Sequence, residues 1–63
     1  MTRAEKAAIF GLLLVGRGFS LAALADAKSR GNERQAARTR RHIEKADEAI
    51  TILEAELTST QAN

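Results

Sequence analysis

Apolar residues run almost unbroken from Ala7 to Ala25, AAIFGLLLVGRGFSLAALA, where only Arg17 and Ser20 are plainly polar. Placed on a helical wheel at about 100° per residue, the stretch is apolar on two sides. Ala8, Leu12, Val15, Phe19, Ala23 and Asp26 follow one side, and Phe10, Leu14, Arg17, Leu21, Leu24 and Lys28 follow the roughly opposite one. Between them Ala4, Gly11, Gly18 and Ala25 recur every seventh residue. One partner helix cannot cover both sides, so a helix of this kind belongs in a core or in a membrane. The second half of the chain reads differently. Ala36, Thr39, Ile43, Ala46, Ile50, Leu53 and Leu57 form a single narrow heptad seam.

The punctuation between these patterns is local and strong. Thr2 and Glu5 make a T-x-x-E capping box, so the first helix should begin at Arg3. Lys28 and Arg30 suit the negative end of that helix, and Gly31 suits a left-handed C′ position. Asn32 is a good N-cap for a second helix, with Glu33 in its first turn. The pattern predicts helix 1 over about 3–30, a turn at 31–32, helix 2 over about 33–58 and a frayed tail at 59–63. So short a connection forces antiparallel neighbours. The expected fold is all-α, an antiparallel helix-turn-helix hairpin that dimerises into a four-helix bundle. The second chain covers the side of helix 1 that the seam of helix 2 leaves open, with Leu14, Gly18, Leu21 and Leu24 as the expected dimer interface.

Length and composition sharpen this. At 63 residues the chain allows one domain. Chains of this size bury only about 60% of their unfolded surface and need disulfides, metal or oligomerisation. There is no Cys, which excludes disulfides and thiolate metal sites and fits a reducing cytoplasm. A single His, His42, gives no imidazole cluster. Oligomerisation remains. A membrane span and a secretory leader fit the sequence less well. Glu5 interrupts the basic region a leader needs. Arg17 falls at the middle of the apolar run, at a cost of roughly 2.5 kcal/mol or more inside a bilayer. The expectation is a cytoplasmic protein with no membrane partner.

Charge is placed unevenly. Net charge is +2, too mild to imply nucleic acid alone. Yet seven of the ten Lys and Arg lie between Lys28 and Lys45, while five of the eight acids lie at or beyond Glu44. Arg34, Arg38, Arg41 and Lys45 fall within about 60° on helix 2, nearly opposite its seam. They read either as a stripe for phosphates or an acidic protein surface, or as an ordinary solvated face. No aromatic interleaves them, which argues against base stacking. Ile52 points outward with this stripe. Arg17 among Phe10 and the leucines has the composition of a binding hot spot, and can also set dimer register, pair across the dimer interface with an acid such as Asp47, or mark the edge of that interface. Phe10, Arg17, Ile52, Arg34, Arg38, Arg41 and Lys45 are therefore the candidate partner-binding residues. No nucleophile–base set, phosphate loop or metal constellation is legible, so no catalysis and no cofactor are expected.

The layout and the opening MTRAEKAAI resemble the Rop family of plasmid copy-number regulators. The resemblance covers about the first nine residues and the hairpin plan. It implies a dimeric four-helix bundle that binds paired RNA loops through polar residues on its first helix. Here Arg3 is compatible with that surface, but Phe10, Leu14, Gly18 and Ala25 stand where polar contacts are expected. Fold carries over more safely than activity. Small helical hairpins also resemble phage and mobile-element accessory proteins that disable a host protein. The expected function is a non-enzymatic homodimer acting as a small modulator or inhibitor of another protein, the alternative being a nucleic-acid-binding bundle that uses the helix 2 stripe.

Overall fold

Thr2 opens the first helix. Its hydroxyl accepts from the Glu5 N–H at 3.0 Å, and its own N–H donates to Glu5 Oε1 at 2.7 Å. Two orphan amides of the first turn are thereby satisfied. In this computed structural model, which describes residues 1–61 and the side chains of residues 1–59, helix α1 spans Arg3–Ser29. It ends in a Schellman motif. Asn32 N–H donates to Ala27 C=O at 2.9 Å and Gly31 N–H to Lys28 C=O at 3.1 Å. Gly31 sits at φ 70°, a conformation that costs other residues energy because Cβ crowds the following carbonyl. Asn32 then starts α2 (Glu33–Gln61), its side-chain oxygen accepting from the Gln35 N–H at 3.1 Å.

α2 runs to Gln61, past the expected end at Thr58. The apolar seam stops at Leu57, but Thr58, Ser59 and Thr60 are only mildly poor helix formers and no Pro or Gly follows to break the chain. The expected frayed tail at 59–63 is thus helical as far as Gln61; Ala62 and Asn63 lie outside the described residues.

The two helices pack antiparallel into a rod of 49 × 15 × 14 Å. The face of α2 turned to α1 is the heptad read from the sequence. Ala36, Thr39 and Ile43 are buried, and Ala46, Ile50, Leu53 and Leu57 are half-buried. The Thr39 hydroxyl, buried in this seam, is satisfied by donating to Gln35 C=O at 2.9 Å. The matching face of α1 is Lys6, Phe10, Leu13, Arg17, Ser20, Leu24 and Ala27, in alternating steps of three and four. Polar members recur because α2 answers them. Arg17 pairs with Asp47, and Lys6 Nζ lies 3.9 Å from Glu56 Oε1. These pairs fix the register, although half-exposed pairs contribute only about 0–1 kcal/mol each. The core is thin, since among the described residues no large side chain is fully buried.

The Glu5 carboxyl is held below its ordinary value of 4.5, first by the Thr2 backbone N–H and then by the Thr2 hydroxyl. A depressed folded pKa contributes stability that is present above the unfolded value and lost as pH falls through the folded one. Acidification below 4.5 should therefore release the first turn of α1. NMR Cα shifts of residues 2–6 should move toward coil, and Glu5→Gln, which keeps an acceptor, should remove that pH dependence.

Candidate interaction surface

Hairpin formation divides the surface of α1 in two. α2 takes the Phe10–Arg17–Leu24 side. The other side remains open: Leu12 is 71% exposed, Val15 58% and Phe19 73%, although these are the bulkiest residues of their row. Leu14, Val15, Gly18, Phe19 and Ala22 line a shallow apolar groove along it. A contiguous apolar strip of this kind on a short chain marks a contact surface more often than plain solvent exposure.

The residues singled out in the sequence separate accordingly. Phe10 and Leu24 are half-buried against α2, and Arg17 is held by Asp47, so these three serve the hairpin's own seam. The seam claims them because it follows register and not maximal hydrophobicity. Leu14 and Leu21 flank the open face, 50% and 41% exposed. Gly18 faces open space, since a Cβ added there, or at Gly11 or Gly16, meets no atom within 4 Å. The packing of α1 on α2 therefore gives no reason for three glycines.

Leu12, Val15 and Phe19, missing from the expected interface, form the middle of the open face. Their signal was present as one of the two apolar rows. The sequence could not show which row α2 would leave uncovered.

The outer face of α2 is a second surface. Arg34, Arg38, Arg41 and Lys45 are exposed, and among the described residues none of them makes an ion pair or hydrogen bond within the hairpin. Ile52, 61% exposed, continues the same line, bordered by Glu48 and Glu56. Near the turn, Lys28, Asn32, Ala36 and Arg40 border a cleft, but Glu33 shares its wall, so it is not a simple anion site.

Chemistry-bearing side chains do not converge. Among the described residues no three of His, Cys, Asp and Glu are placed to hold a metal ion. Ser20 lies in the seam, and no hydrogen bond joins it to His42. By length and composition α1 also has what is needed to cross a membrane. In the hairpin, however, it carries polar α2 along its whole length through the Lys6–Glu56 and Arg17–Asp47 pairs. No family model, curated protein or solved structure matches the chain.

Proposed function

We propose that the hairpin is a non-enzymatic homodimer, its two copies forming a four-helix bundle, and that the bundle acts by binding another protein as a small modulator or inhibitor. The open apolar face of α1 carries this reading. A hairpin with so thin a core is marginal alone. Covering Leu12, Val15 and Phe19 with a second copy supplies the missing burial at about 25 cal/mol per Å². The outer face of α2 then stays in solvent, with four cations in a row and Ile52 at its end. That mixture suits a protein surface offering carboxylates and one apolar socket.

A phosphate backbone competes for the same cations. Glu48 and Glu56 beside Ile52 limit its footprint to the turn-proximal half of α2. The two occupants respond differently to mutation. Affinity capture from the native host, with and without nuclease, should retain a protein partner in both cases. Replacing Arg34, Arg38 and Arg41 together by Ala should weaken that capture modestly, mainly through association rate. Nuclease-sensitive recovery that the triple change abolishes, with affinity falling by about 0.7–0.9 log units per log unit of salt per contact, would establish the nucleic-acid reading instead.

Membrane insertion has one observation in its favour, the length and apolarity of α1. It requires the hairpin to open, because α2 cannot follow Arg17 into a bilayer with Asp47 and Glu56 attached. Opening gives up the whole α1–α2 seam, and this ranks the bilayer below the dimer.

A further inference from the structure

We draw no further inference here: the strongest candidate, the open apolar face of α1 around Leu12, Val15 and Phe19, carries nothing beyond the dimer proposed above, since nothing in the structure shows what covers it or in which direction.

Discussion

Phe19→Asp should turn the protein from dimer to monomer and leave the hairpin largely folded. Phe19 is 73% exposed in one hairpin, so the substitution removes almost no contact between α1 and α2. Only the association should suffer. A carboxylate buried against a second copy on this apolar face has no partner there, and burying an unpaired charge is unfavourable by several kcal/mol. Even about 3 kcal/mol corresponds to more than a hundredfold in Kd. Circular dichroism at high concentration should therefore keep its helical signal while sedimentation reports half the mass. Because a lone hairpin has little core, its thermal midpoint should also fall and become independent of protein concentration. Unchanged mass in Phe19→Asp would remove this face from the interface.

Ile43→Asp should act oppositely, abolishing helix and association together. Ile43 is the largest buried apolar side chain, only 9% exposed, between Thr39 and Ala46 on the seam. Its replacement destroys apolar contact and leaves a carboxylate without a hydrogen-bond donor. The loss is comparable to the roughly 3–5 kcal/mol that a core in so short a chain supplies. Loss of helical ellipticity at room temperature is the expected readout. A helical Ile43→Asp protein would mean that the seam contributes little to the fold.

The contrast between these two positions shows what the sequence made legible. On α2 the apolar heptad from Ala36 to Leu57 is also the packed face, because nothing else on that helix competes with it. The caps at Thr2, Gly31 and Asn32 were readable because each depends on chemistry within a few residues. The contact face of α1 was not readable. Hydrophobicity alone ranks Leu12, Val15 and Phe19 above Lys6, Arg17 and Ser20, yet the polar three lie in the seam. They do so because Glu56 and Asp47 on α2 answer Lys6 and Arg17; the Arg17–Asp47 pair was legible only as a contact between two copies, whereas it closes within one hairpin. Phe10, Arg17 and Leu24 accordingly belong to the hairpin's interior face, and the displayed surface consists of what the seam did not claim. The far end of α2 shows a different limit, since a helix that meets no breaker continues beyond its last apolar contact.

The most direct test of the account is the mass of the unmodified protein in detergent-free buffer at micromolar concentration, by sedimentation equilibrium. The predicted result is a soluble species of twice the chain mass that dissociates on dilution. A stably folded monomer, or a chain that stays in solution only with detergent, would contradict the central claim that the open face of α1 is covered by a second copy.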